Sequence, residues 1–160
     1  NENLLNQLLM RNRQVYTDSL TKVFNRRYCD DRLRRLSGEY ALAMIDIDNL
    51  KQINDRYGHS RGDAVIMQTA DVLRACFPGA HIYRMSGDEF VVLCPGVTQA
   101  RFETMLAKAR DRLASETDYG VSLGGAWHAC AREDLDELGR ADDESMYADK
   151  QEHYGVPEHG

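Results

Sequence analysis

From Asn1 to about Tyr16 the apolar positions recur at helical spacing, with Leu4, Leu5, Leu8, Leu9, Met10 and Val15 set among polar residues and no glycine or proline between them. A lone helix of this length is marginal in water, so its stripe must cover either its own domain or a second copy of itself. A second helical period runs from Asn25 to about Leu36 with Tyr28, Leu33 and Leu36 facing inward, and Tyr40 to Asp46 is an apolar run of strand length that ends in acids. Asn49 to Tyr57 suits a helix that stops at Gly58. Asp63 to Phe77 is amphipathic through Val65, Ile66, Ala70, Val72 and Leu73, and Pro78-Gly79 ends it. The period then shortens. His81-Ile82-Tyr83 and Val91-Val92-Leu93 are β-branched and aromatic runs joined by a turn containing Ser86-Gly87, which predicts a hairpin. Helical spacing returns over Gln99 to Ala114, a strand follows over Tyr119 to His128, and a last helix is expected over most of Leu135 to Tyr154.

This order, a leading helix followed by β-α-α-β-β-α-β-α, predicts an α+β domain with a mostly antiparallel central sheet and helices stacked on one face. The chain has 160 residues, enough for a single core. Its formal net charge of −6 comes from interspersed acids and bases, which argues against a basic face for duplex nucleic acid or anionic lipid. Cys29, Cys76, Cys94 and Cys130 are far apart and form no C-x-x-C pair, so buried free thiols in a reducing compartment are expected rather than a metal cluster. No stretch approaches the roughly 18 apolar residues of a membrane span, and no signal-peptide pattern is present. The chain opens at Asn1 in what reads as the middle of a helix, so a sensor or membrane anchor is expected beyond it.

Candidate chemistry concentrates at the hairpin, Arg84-Met85-Ser86-Gly87-Asp88-Glu89-Phe90, where two acids sit on a small-residue turn. Asp46 and Asp48, two apart at a strand end, leave the same face and point toward that turn. If Asp46 lies beside Asp88, two hard carboxylates converge in an arrangement suited to Mg²⁺.

Here the sequence resembles the GGDEF family of diguanylate cyclases, with Ser86 where the family usually has its first glycine. Four more stretches match in order. Asp18-Ser19-Leu20-Thr21-Lys22-Val23-Phe24-Asn25-Arg26-Arg27 resembles the opening D-x-L-T-x-L-x-N-R-R segment, and Asp46 through Asp63 is similar to the longest motif almost throughout. Val121-Ser122-Leu123-Gly124-Gly125-Ala126 resembles the late V-S-x-G strand. Met146-Tyr147-Ala148-Asp149-Lys150 resembles the closing helix, with Asp143 in place of its Asp.

The resemblance implies a palm-like fold, a stalk helix over residues 1–16, a GGDEF domain over 17–160, and condensation of two GTP into cyclic di-GMP with release of two pyrophosphates by a cytoplasmic homodimer. It implies Mg²⁺ or Mn²⁺ held by Asp46, the carbonyl of Ile47, and Asp88. Asn54 and Asp63 match the positions that recognise guanine, and a carboxylate suits guanine's N1–H and amine donors. Lys51 and Lys150 match lysines that contact phosphate, and Ser86 and Gly87 would border the phosphates. Glu89 or Asp88 would take the hydroxyl proton.

Plainer roles stand beside these: Glu89 paired with Arg84, Asp63 as a helix N-cap, the lysines simply solvated, His59 in a turn, and Trp127 as packing whose indole N–H needs an acceptor. The product-inhibition motif R-x-x-D would fall on Phe77 and Ala80, which cannot grip a phosphate, and Tyr154 lies near a position where many members have arginine. Two rivals to the cyclase are a silent domain that binds GTP and regulates a neighbour, and a pure interaction domain dimerising through the stalk.

Overall fold

The computed structural model describes residues 2–129. Its elements in chain order are α1 (Glu2–Tyr16), β1 (Phe24–Asn25), α2 (Arg26–Arg35), β2 (Tyr40–Ile47), α3 (Leu50–Tyr57), α4 (His59–Cys76), β3 (His81–Arg84), β4 (Glu89–Pro95), α5 (Gln99–Glu116) and β5 (Val121–His128). Cys130, the closing helix with Asp143 and Lys150, and Tyr154 lie outside the described residues.

Local chemistry accounts for most boundaries. Asn25 caps α2 by accepting from the Tyr28 N–H, and Thr98 caps α5 by accepting from Arg101 N–H. Gly58, at φ 92°, ends α3 and immediately starts α4. Helix α4 therefore begins four residues before the expected Asp63, which sits inside its first turns; the N-cap role for Asp63 does not hold.

The strands form one sheet in the order β1-β3-β4-β2-β5, with β1 parallel to β3 and every other pair antiparallel. Alternation along β2 sends Ala41, Ala43, Ile45 and Ile47 to a core shared with Val65, Ile66, Ala70 and Leu73 of α4 and Phe102, Met105, Ala109 and Leu113 of α5. Tyr40 and Leu42 face the other way and join Tyr83, Val91, Leu93 and Cys29 in a second core, packed by Tyr28, Leu33 and Leu36. Helices therefore cover both faces, not one. The reason is legible in β2, which is buried on both sides of its pleat and needs a cover on each.

Gly125 marks the tightest joint of the first core. A Cβ there would lie 2.8 Å from both the Leu42 carbonyl oxygen and the Phe102 ring, so only glycine lets α5 close on β5. Trp127 donates its indole N–H to Val97 O at 2.7 Å, the partner that its burial demanded. Cys29, Cys76 and Cys94 are free and buried, and burial pushes the Cys29 and Cys94 thiols up to about 12.

Candidate active site

The β3–β4 hairpin forms as its sequence predicts, with the turn closed by Met85 N–H donating to Glu89 O at 2.8 Å. Ser86 and Gly87 are exposed at its end, and the Ser86 hydroxyl donates to Asp88 Oδ1 at 3.3 Å. Among the described residues, positive φ outside glycine is confined to Lys22 and Asn49, so Ser86 carries no left-handed strain. Gly87 is not at positive φ either, and a Cβ there would meet none of the described residues within 4 Å. Among the described residues neither backbone conformation nor a protein neighbour demands glycine at this turn, and its small residues leave room for close approach of a ligand.

Sheet register decides which acids meet. Asp46 of β2 lies directly opposite Glu89 of β4, and Ile47 N–H donates to Asp88 O at 2.8 Å. Asp88 is thus the neighbour of Ile47, one place beyond the Asp46–Glu89 pair. Since Ile47 and Asp88 share the hydrogen-bonded rung, Asp46 and Glu89 occupy the kind of rung in which side chains stand closer. Asp46 is only 7% exposed, whereas Glu89 is exposed and Asp88 half-buried. Like charges directly opposite one another destabilise a ladder, and a cation between them reverses the sign.

Asp48 has a different task. It is buried, accepts from Ser122 Oγ at 2.9 and 3.2 Å, and donates its N–H to Gly120 O at 2.8 Å, pinning the end of β2 to the start of β5.

Arg84 does not serve Glu89 as the simple pairing expects. Its Nη1 lies 3.2 and 3.3 Å from the two carboxylate oxygens of Asp18, and its Nη2 donates to Gly87 O at 3.0 Å. Asp18 also accepts from Thr21 N–H at 2.9 Å and Thr21 Oγ1 at 2.7 Å. Burial alone would raise the Asp18 pKa, but the Thr21 bonds and then Arg84 outweigh it and hold it below the usual carboxylate range. The opening motif signalled Asp18 and Thr21 without naming their partner.

Across the α3–α4 corner, Asn54 is half-buried and Asp63 exposed. The Asn54 amide oxygen lies where a Cβ on Gly62 would stand, at 1.7 Å, so glycine at 62 lets the two helices close on this side chain. That oxygen is buried and meets no donor among the described residues. Lys51, one turn before Asn54 on α3, is exposed, as is His59 at the first position of α4. No helix among the described residues is long and apolar enough to cross a membrane. No group of three or more His, Cys, Asp or Glu side chains among them could hold a metal, so a cation at the hairpin would draw on fewer side chains, as Mg²⁺ commonly does.

The profile of the family described as "Diguanylate cyclase, GGDEF domain" matches residues 15–155. The chain belongs to this family. Among curated proteins it is 31% identical over 148 residues to the diguanylate cyclase DgcS of Shewanella oneidensis, covering 86% of this chain and 50% of that protein. It is 35% identical over 121 residues to the diguanylate cyclase DgcM of Escherichia coli K12, covering 72% of this chain and 29% of that one. The chain thus spans half or less of the length of these relatives. Among solved structures, the coiled coil and GGDEF domain of DgcB from Caulobacter crescentus, in complex with c-di-GMP, superposes with a TM-score of 0.83 at 28% identity, covering 94% of this chain and 88% of that one. The α+β architecture read from the sequence is therefore that of GGDEF domains.

Proposed function

We propose that this GGDEF domain is an active diguanylate cyclase: two copies face each other, each holding one GTP, and join them into cyclic di-GMP with release of two pyrophosphates. The observation that carries the reading is the acid cluster at one end of the sheet, with buried Asp46 opposite Glu89 and Asp88 beside Ile47, next to a turn whose small residues no described neighbour requires. In each half-reaction a ribose 3′-oxygen forms a bond to the α-phosphorus of the other GTP, the bond to pyrophosphate breaks, and Glu89 or Asp88 takes the hydroxyl proton. One copy cannot present both GTP molecules to each other in line, so the active unit is a two-fold homodimer.

The donor set fits Mg²⁺ or Mn²⁺, being hard oxygens only: Asp46, Asp88 and the Ile47 carbonyl would hold it, with Glu89 adjacent. When bound, the ion would stabilise negative charge on the reacting phosphate. Asn54 and Asp63 would read guanine. A donor for the buried Asn54 oxygen must come from outside the described residues, and guanine's amine is one. Lys51 and Lys150 would contact phosphates. With Phe77 only 1% exposed in the first core, the usual remote product site has no arginine to offer, so inhibition by product would follow simple competition with GTP. Residues 1–16 would act as a stalk that pairs two copies in a larger protein, the domain itself standing in the cytoplasm with its GTP.

The deciding experiment incubates the purified domain, held as a dimer, with GTP and Mg²⁺ and assays for the cyclic dinucleotide. Product is expected, as is its loss on chelation and in Asp46→Asn and Asp88→Asn variants that keep the wild-type melting curve. A domain that binds GTP yet makes no product would instead be a regulator.

A further inference from the structure

We infer that Asp18 and Arg84 are positioning residues that hold the hairpin turn in its working geometry, and that they tie this turn to the end of α1; the catalytic consequence rests on the cyclase reading above. The two side chains lie far apart in sequence yet form a mostly buried ion pair, 18% and 17% exposed. Each does two things at once. Asp18 gathers Thr21 N–H and Oγ1 on one oxygen while meeting Arg84 with both, which fixes the loop after α1 in a single shape. Two backbone bonds close that loop, Asp18 N–H to Val23 O at 2.8 Å and Lys22 N–H to Asp18 O at 2.9 Å, and Lys22 is held at φ 65°.

Arg84 reaches from this clamp to Gly87 O, the carbonyl immediately before Asp88. Gly87 and Ser86 are exposed, and no described side chain packs around position 87, so the Arg84 bond joins the Met85–Glu89 and Ile47–Asp88 backbone bonds in restraining where Asp88 and Glu89 stand relative to Asp46. The guanidinium fork suits this role because it serves a carboxylate and a carbonyl together, in fixed directions.

The same loop is anchored to the last turn of α1. Tyr16 donates to Asp31 Oδ2 at 2.9 Å and meets Tyr28 in a tilted ring pair, Asn25 Nδ2 donates to Val15 O, and Thr17 bridges Phe24. A continuous set of polar contacts therefore runs from the α1 terminus through Asp18 and Arg84 to the turn that bears the acids. Placement errors of about an ångström at such a site cost up to about a hundredfold in rate.

The test pairs amide hydrogen exchange with kinetics in the dimeric domain. The reporting amides are Met85 N–H, which closes the turn on Glu89 O, and Ile47 N–H, which holds Asp88 O. Arg84→Lys keeps the charge but cannot serve Asp18 and Gly87 together, and Asp18→Asn keeps an acceptor for Thr21. Both variants are expected to speed exchange at Met85 and Ile47 by about tenfold or more while α5 amides keep wild-type protection, and to lower kcat by about 10- to 100-fold with KM for GTP little changed. Arg112→Gln, which breaks an exposed pair with Glu116 on α5, should leave the hairpin amides unchanged. Wild-type exchange at Met85 and Ile47 in Arg84→Lys would overturn the inference, and so would acceleration spread evenly over the domain, which would make the pair a matter of stability alone. Should Asp18→Asn fail to fold, Arg84→Lys decides. A wild-type domain that makes no cyclic dinucleotide would sink the cyclase reading, while the exchange data would still settle the positioning role.

Discussion

Ser86 departs from the usual family glycine, yet it is exposed on backbone without positive φ, with its hydroxyl on Asp88. Replacing it with glycine should therefore alter thermal stability by less than about 0.5 kcal/mol and the rate only modestly. Ser86→Val should also fold, because no described residue crowds the turn, but its branched bulk at the phosphate edge should silence product formation. Differential scanning calorimetry beside a turnover assay separates the two effects; a large stability loss in Ser86→Val would refute the absence of local crowding. Gly62 poses the opposite case. A methyl group there collides with the Asn54 amide, so Gly62→Ala should cost about 1–3 kcal/mol in urea denaturation and, by displacing Asn54, erode the preference for GTP over ATP. Asp63→Ser, at an exposed position, should erode that preference without the stability loss.

At the scale of elements, α1 stands out because Leu4, Leu5 and Leu8 are 58%, 57% and 50% exposed, so these three leucines are not covered by the described part of the domain. Such a face on a helix is expected to find a second copy. Exchanging Leu4 and Leu8 for Gln should shift the domain from dimer to monomer in sedimentation and reduce product formation by about tenfold or more at low protein concentration, through lost effective concentration rather than lost chemistry. The melting temperature of the domain should hardly move. An unchanged sedimentation coefficient would remove the stalk role. Of the elements, helices and the hairpin were legible because their apolar periods are long and their stop signals strong. The sequence pattern starts α4 at Asp63 and the structure at His59, because Gly58 serves as both an end and a beginning, a double use that propensity does not display. Strand β1, at Phe24–Asn25, has no apolar period of its own in the sequence, since two residues become a strand only through their parallel pairing with β3.

For the molecule as a whole, two groups give stability the same dependence on pH. His81 beside Arg32 has its pKa lowered by burial and then by that cation, and Asp18 is lowered as described. In both, the unfolded chain binds more protons than the folded one across the window between the two pKa values, so stability rises with pH there. The His81 contribution is complete above its ordinary value near 6.5 and is lost as pH falls through its folded value; that of Asp18 is complete above about 4 and is lost at still lower pH. Urea midpoints should therefore fall in two steps on acidification. Asp18→Asn should remove the lower step, and a variant whose stability keeps the full wild-type pH profile would contradict the depressed carboxylate.

What the residues alone determined was chemistry and periodicity: an α+β order of elements, a small turn bearing Asp88 and Glu89, acids at a strand end, and motifs whose spacing belongs to one family. Such features are written locally, because a side chain's donors and a helix's apolar stripe travel with the sequence. The tertiary structure decided what depends on distant segments meeting. Register set Glu89, not Asp88, across from Asp46, since the pairing phase of two strands is fixed by packing over their whole length. The second core placed α2 on the far face. Arg84 went to Asp18 rather than Glu89, because only the folded chain brings the loop after α1 beneath the hairpin, and a buried guanidinium takes the carboxylate that geometry puts within its fork.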